Sequence, residues 1–549
     1  MSKNRYGYWI KGDTPPEPFE TSIDQALLQV NHPLFVVALE DRLGVAMDGS
    51  AFLGKEEFSE MPAYAPMIAY VPPLHPMKLG ASHFKQQYGL RYAYVTGAMA
   101  NGIASVEMVQ AAGKSGMLGF FGSGGLSLEQ IESAIERLRR SMGDLPYGFN
   151  LIHSLHDPEL EIATVRLYLR HGIKLVEAAA FMRLTLPLVY YRVTGIHQDS
   201  AGRIVCPNHI IAKVSRTEVA RQFFSPPPEK IIRQLLGKGM ITETEASLAG
   251  KIPMADAITA EADSGGHTDN RPALALLPTM IALRDEMAAQ HQYPVPLHVG
   301  LGGGIATPES TAAAFAMGAA YVLTGSVNQA CVEAGTSETV RQMLTEAGQA
   351  DVTMAPAADM FEMGVKVQVL KRGTMFPVRA AKLYEFYNHY KSFYDIPEKD
   401  RTHLEKNFFH CGFEEEWRQT KAFFQKRDPK QIERAEADAK HKMALVFRSY
   451  LGRSSNWAVT GDPARQIDYQ IWCGPAIGAF NEWVKGTFLE KPGNRNVATV
   501  ALNLLLGASV ATRVAWFRNQ GISFPIGTGN YRPLPLEEII RHVGMPPSA

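Results

Sequence analysis

From residue 91 onward, short apolar runs alternate with longer stretches whose apolar positions recur every three or four residues. The runs lie at 91–97 (RYAYVTG), 117–122 (MLGFFG), 147–152 (YGFNLI), 174–180 (KLVEAAA), 209–214 (HIIAKV), 256–262 (DAITAEA), 295–300 (VPLHVG) and 320–325 (AYVLTG). They are rich in Val, Ile and Ala, as strands covered on both faces are. The stretches between them carry helix start and stop signals. Ser127 with Gln130 forms a capping box for a helix over 128–140. Asp157 and Pro158 supply an N-cap and a first-turn proline, and Gly172 ends that helix. Thr307 and Pro308 open another, closed by Gly318. Eight strand–helix units in about 250 residues are what a (β/α)8 TIM barrel requires. An open, doubly wound sheet is the competing arrangement, and the count of eight favours the barrel.

The pattern changes on both sides. Residues 1–85 hold a hairpin-like stretch, PLFVVALEDRLGVAMDG, and form a β-rich appendage to the barrel of residues 86–335. Residues 336–549 read as a large helical region that caps the substrate site. Within the barrel, residues 223–250 are expected to form an insertion over its mouth. Apolar cover from MFPV and LYEFY, with Phe376 and Tyr384, is expected to line an acyl channel there.

Composition narrows the class. Apolar residues make up 46% and charged residues 20%, and the formal net charge is zero, so no electrostatic footprint for nucleic acid is visible. The four cysteines, 206, 331, 411 and 473, have neither metal-ligand nor disulfide spacing, which suits a reduced, cytoplasmic setting. No signal peptide is expected at the start of the sequence. The apolar stretch 496–517 contains Asn503 and Arg513 and reads as a buried helix, not a membrane span.

In a TIM barrel the chemistry sits at the C-terminal ends of the strands. Here those ends carry Ala98, Met99 and Ala100 after strand one, Asn150 after strand three and Lys213 after strand five. Strand six is followed by Gly265, Gly266 and His267, strand seven by Gly302, Gly303 and Gly304, and strand eight by Gly325 and Ser326. Glycine loops after strands seven and eight let backbone N–H groups approach a phosphate. Small residues after strand one let a flat ring lie on the barrel top. Asn150 and Lys213 can meet that ring's polar edge. Together these point to flavin mononucleotide (FMN). The glycine pair 265 and 266 would admit the ring, and His267 could move a proton near neutral pH. His153 and His298 are expected to line the pocket.

The stretches GAMANGIASVEMVQAAGKSGMLGFFGSGG, EADSGGHTDN and GLGGGIATPESTAAAFAMGAAYVLTGS resemble the FMN-dependent barrel family of nitronate monooxygenases and FabK-type enoyl reductases. QACVEAGTS (329–337), VQVLKRGTMFPVRAAKLYEFY (367–387) and DYQIWCGPAIGAFNEWVKGTFLE (468–490) are similar to its PfaD-type branch, the trans-acting enoyl reductases of polyunsaturated-fatty-acid and polyketide synthases. That resemblance implies an oxidoreductase acting on CH–CH groups. NADPH, or NADH, would reduce FMN, and FMN would reduce the 2,3-double bond of an enoyl thioester on an acyl carrier protein. It implies that Met99, Ala100 and Asn150 contact the flavin, that Gly303, Gly304, Gly325 and Ser326 hold its phosphate, and that His267 faces the substrate. TDN follows the histidine where shorter relatives often have a small or apolar residue, so Lys213 and Lys371 are kept as further candidates for positioning or protonating the thioester. Partners implied are the acyl carrier protein and multidomain synthase subunits. The oligomeric state stays open, a homodimer included. The alternative within the family is a nitronate monooxygenase-like flavoenzyme that uses O2. A non-catalytic scaffold, which would bind no flavin, is the reading from another class. A barrel with a cysteine nucleophile after strand six is excluded, since no cysteine stands there.

Overall fold

The computed structural model describes residues 7–53, 64–153 and 158–544. Asp157, the expected helix cap, lies outside them. Eight parallel strands close into a barrel: Tyr94–Thr96, Leu118–Phe121, Gly148–Ile152, Leu175–Ala179, His209–Val214, Ala257–Glu261, His298–Gly302 and Val322–Thr324. Each pairs with the next in sequence, and the last returns to the first in the register Val322↔Tyr94. Sequential order with closure is the (β/α)8 TIM barrel that the alternation predicts. The capping box at Ser127 and the Thr307 cap both form.

The N-terminal ends of the strands are plugged by the helix Ser82–Tyr88, whose Phe84 ring stacks on Tyr321 at 4.3 Å. His298 opens strand seven at this end. Its Nε2 lies 3.2 Å from Nδ1 of His83. Burial, with His83 and Arg284 nearby, drives its pKa down to about 4. It is therefore a neutral floor residue, and the expectation that it lines the pocket is corrected.

The N-terminal appendage is a six-stranded sheet with the helix Phe19–Leu28 against it. Its hairpin pairs Leu34–Ala38 with Leu43–Ala46. Among the described residues one helix, Val497–Asn519, is long and apolar enough to cross a membrane. It is packed inside the protein, against the helix Pro308–Ala316 and the N-terminal sheet. Two of its polar residues, Asn503 and Arg513, act as ties. Asn503 accepts from the Leu534 N–H at 2.7 Å, and the Arg513 guanidinium donates to the carbonyls of Leu27, Gln29 and His32.

Two expectations change. The insertion 223–250 lies on the outer wall, not over the mouth. Its helix Glu229–Gly237 packs on Leu186–Val193, and Ile232 and Leu235 are buried there. The helix Leu186–Val193 is in turn anchored at the foot of strand six, where its buried Arg192 donates to Pro253 O and forks onto Asp256 at 2.8 and 2.9 Å. The C-terminal region is mostly helical, as its pattern predicts, and holds a small sheet as well. Val352–Pro356 and Lys366–Leu370 pair antiparallel, and the short strand Gly266–His267 adds to their edge. The helices Phe376–His389, Phe413–Arg427, Pro429–Ala437 and Ala439–Thr460 form a cap with its own apolar core. Phe376 is fully buried in that core and Tyr384 packs edge-on to Phe361, so neither lines the mouth.

Candidate active site

A cavity of about 1340 Å3 lies between the C-terminal ends of the barrel strands and the cap. Ala98, Met99, Ala100, Asn150, Lys213, Gly265, Gly266, His267, Gly302, Gly303, Gly304, Gly325 and Ser326 all line it, as does His153. Lys371 does not; it is exposed on the cap. His153 bonds Glu161 at 2.9 Å and stacks on Phe181.

The floor is ionic. Lys213 Nζ lies 2.9 Å from Glu261. Burial works against its charge, but Glu261 and Glu177 outweigh that and hold its pKa above the ordinary lysine value. Glu177, in the middle of strand four, is fully buried. One of its oxygens accepts the Ala98 N–H at 3.1 Å, and the other, Oε1, has no partner among the described residues. Burial pushes this carboxyl up to about 7 against the pull of Lys213 and the Ala98 N–H. The Asn150 amide donates to Glu177 O at 3.0 Å, and its own carbonyl accepts from Tyr168 at 2.7 Å. Glu177 and Glu261 were legible only as members of apolar strands. Their convergence on one lysine comes from neighbouring strands and carries no local signal.

Lys213→Met is expected to leave both carboxylates facing an uncharged methyl group. Glu177 would then keep its proton to higher pH. A carboxyl whose folded pKa is raised contributes stability at low pH that is lost as pH rises through that pKa. The deficit of the variant should therefore grow from pH 6 to pH 9, toward about 3–5 kcal/mol for an unpaired buried charge. Urea melts across that range check this; a deficit independent of pH would mean that Lys213 carries no such load.

The glycines divide into two kinds. A Cβ at Gly304 or Gly325 would meet nothing within 4 Å, so both face open space. Gly304 also has φ +78°, which favours glycine. Gly302, by contrast, ends strand seven, and a Cβ there would press on Thr259 at 3.0 Å. Gly265 is closed as well. A Cβ would lie 2.6–2.8 Å from the backbone of Cys473, so its smallness serves the packing of residues 472–475 onto the loop after strand six, not the entry of a ring. The same junction is tied by the Gly474 N–H donating to the Ser326 hydroxyl at 3.0 Å.

His267 stands at the cap edge, paired in the sheet with Val367. Its side chain is 44% exposed, and Nε2 lies 3.1 Å from Asp359 Oδ1. Burial opposes the charged ring, but the hydrogen bond and charge of Asp359 prevail and raise its pKa above the ordinary 6.5. The TDN that follows is structural. Asp269 takes Arg216 at 2.9 and 3.0 Å, and the Asn270 amide donates to Asp263 at 2.8 Å. The Gln368 amide donates to the same Asp263 oxygen and to Ser264 O, binding this loop to the cap.

Fold and cavity together define a (β/α)8 barrel with a capped ligand site at the C-terminal ends of its strands. Residues 84–393, more than half of the chain, match the nitronate monooxygenase family, and the chain belongs to it. Residues 390–469 match the inserted helical domain of [acyl-carrier-protein] S-malonyltransferase. The chain is 47% identical over 448 residues to a polyunsaturated fatty acid synthase subunit from Thraustochytrium sp., covering 80% of this chain and 30% of that protein. It is 47% identical over 433 residues to polyketide biosynthesis protein PksE of Bacillus subtilis, covering 79% and 56%. The chain thus spans 30% and 56% of the length of these two curated relatives. The crystal structure of the enoyl reductase domain of MlnA, from the macrolactin biosynthesis cluster of Bacillus amyloliquefaciens, superposes with a TM-score of 0.76 at 41% identity, covering 81% of this chain and 99% of that one. Within the family, the likeness is to the enoyl reductase branch that the sequence motifs resemble.

Proposed function

We propose that this chain is an FMN-dependent enoyl reductase that reduces the 2,3-double bond of enoyl thioesters on an acyl carrier protein, with NADPH as reductant. It would act in trans in a polyunsaturated fatty acid or polyketide synthase. The observation that carries the reading is one cavity that joins open glycine loops after strands seven and eight, a buried polar floor and a histidine at the cap edge. The names of the relatives and of the MlnA domain support it.

The residues present fit FMN. Gly304 and Gly325 leave room for a phosphate, and the small residues 98 and 100 leave room for a ring. Glu177 Oε1 is a buried oxygen waiting for a donor. When bound, FMN supplies two-electron transfer between NADPH and the double bond. Lys213 fixes positive charge in the floor. Asp359 holds His267 through Nε2, which leaves Nδ1 as the nitrogen available to stabilise or protonate the carbon next to the thioester carbonyl.

The purified protein should show the visible bands of oxidised flavin, bleached by NADPH under argon and restored by crotonyl thioester. The family match also supports a nitronate monooxygenase reading. Restoration by a nitronate with O2, and none by the thioester, would select it.

The raised pKa of His267 has a direction that can be read. The enoyl half-reaction should be constant at low pH and fall as pH rises through a value above 6.5. Asp359→Asn removes the hydrogen-bonded charge and should move that fall to lower pH. A pH profile that Asp359→Asn does not move would detach the pair from the chemistry.

A further inference from the structure

The cap helix Ala439–Thr460 crosses the cavity with a glycine near its middle. Glycine inside a helix is destabilising relative to alanine. The usual reasons for tolerating it are missing at Gly452. Its φ is not positive, and a Cβ there would meet nothing within 4 Å. The space it leaves belongs to the cavity.

The walls of the cavity differ in chemistry. Around Gly452 the helix presents Ser449, Arg453, Ser455 and Asn456. Ser455 is tied across to the loop after barrel strand one by Asn101, whose amide donates to its hydroxyl at 3.2 Å. Arg453 donates to Gln419 of the neighbouring cap helix at 3.1 Å. Apolar side chains gather instead at strands three to five, where Ile152, Leu160, Phe181 and Val219 line the cavity beside the polar His153, Glu161 and Arg183. An enoyl thioester has the same two halves, a hydrocarbon tail and an arm of amides. Hydrocarbon laid along the cap helix would strip water from amides and hydroxyls and return no hydrogen bond; an amide chain would return them.

We infer that the pantetheine arm of the thioester runs along the cap helix over Gly452, and that the acyl tail packs on the apolar side chains Ile152, Leu160, Phe181 and Val219 at strands three to five. This assignment rests on the enoyl-reductase reading and makes Gly452 a specificity-determining residue for the arm.

The test is the holoenzyme with Gly452→Leu, assayed on crotonyl-pantetheine and on crotonyl-N-acetylcysteamine, which share the acyl group and differ in arm length. Flavin content should equal that of the unmodified protein. KM for the pantetheine thioester should rise about tenfold or more, and KM for the short thioester should stay within about twofold. Gly452→Ala, which meets no neighbour and improves helix propensity, should melt higher and show the same ordering at smaller size. Equal effects on the two thioesters would overturn the assignment. So would an effect that grows with acyl length on a fixed N-acetylcysteamine arm, which would put the tail at Gly452. An unmodified protein that reduces neither thioester removes the enoyl-reductase reading itself, and this assignment with it.

Discussion

Gly325→Asp is expected to purify without flavin while keeping its fold. Gly325 follows barrel strand eight and precedes the short helix Ser326–Gln329. A Cβ there would meet nothing within 4 Å. No neighbouring atom therefore stands where the new side chain would go. A phosphate at the proposed position does. Two unit negative charges about 4 Å apart, at an effective dielectric of about 20, repel by about 4 kcal/mol, roughly a thousandfold in affinity. Gly303→Asp would be a poorer probe, because a Cβ there would strike the backbone of Ala262 and Asp263 at 2.8 Å and residue 303 has φ +90°. The check is the flavin-to-protein ratio beside the thermal midpoint of the flavin-stripped proteins. A Gly325→Asp protein with full flavin content would move the phosphate elsewhere.

His267→Ala should keep bound flavin and its bleaching by NADPH, and should slow the enoyl half-reaction by about two orders of magnitude or more. A positioned acid contributes about 10²- to 10⁴-fold. The fold has little at stake. The pairing of residue 267 with Val367 uses the backbone, and the side chain is 44% exposed. Its one described side-chain partner, Asp359, is itself 57% exposed. Stopped-flow traces of the two half-reactions separate the outcomes. Unchanged reoxidation by the thioester would take His267 out of the chemistry and leave Lys213 as the candidate; loss of flavin would make the histidine structural.

The barrel was legible from the chain alone because its determinants are local. Each strand is a short run buried on both faces, helices such as those opened by Ser127 and Thr307 carry their own caps, and a parallel sheet of eight such units closes in sequence order. The same rule, that loops at the C-terminal strand ends carry the site, was enough to select thirteen residues that line one cavity. What each of them does was decided by contacts far apart in sequence. Gly265 looked like an opening for a ring and is filled by Cys473, a neighbour only once the C-terminal segment folds back. His298 looked like pocket lining because strand seven was read as ending at residue 300; it runs from His298 to Gly302, which places the histidine at the opposite end of the barrel. Lys371 shares a motif with the cap but is exposed just past the strand Lys366–Leu370 and does not line the cavity. The partner that tunes His267 stands 92 residues away. Glu177 and Glu261 meet Lys213 only through strand neighbourhood. Periodicity, caps and glycine loops act over a few residues and can be read from them. Ion pairs, pKa shifts and backbone-to-backbone packing depend on which distant segments burial brings together, and only the tertiary structure holds that.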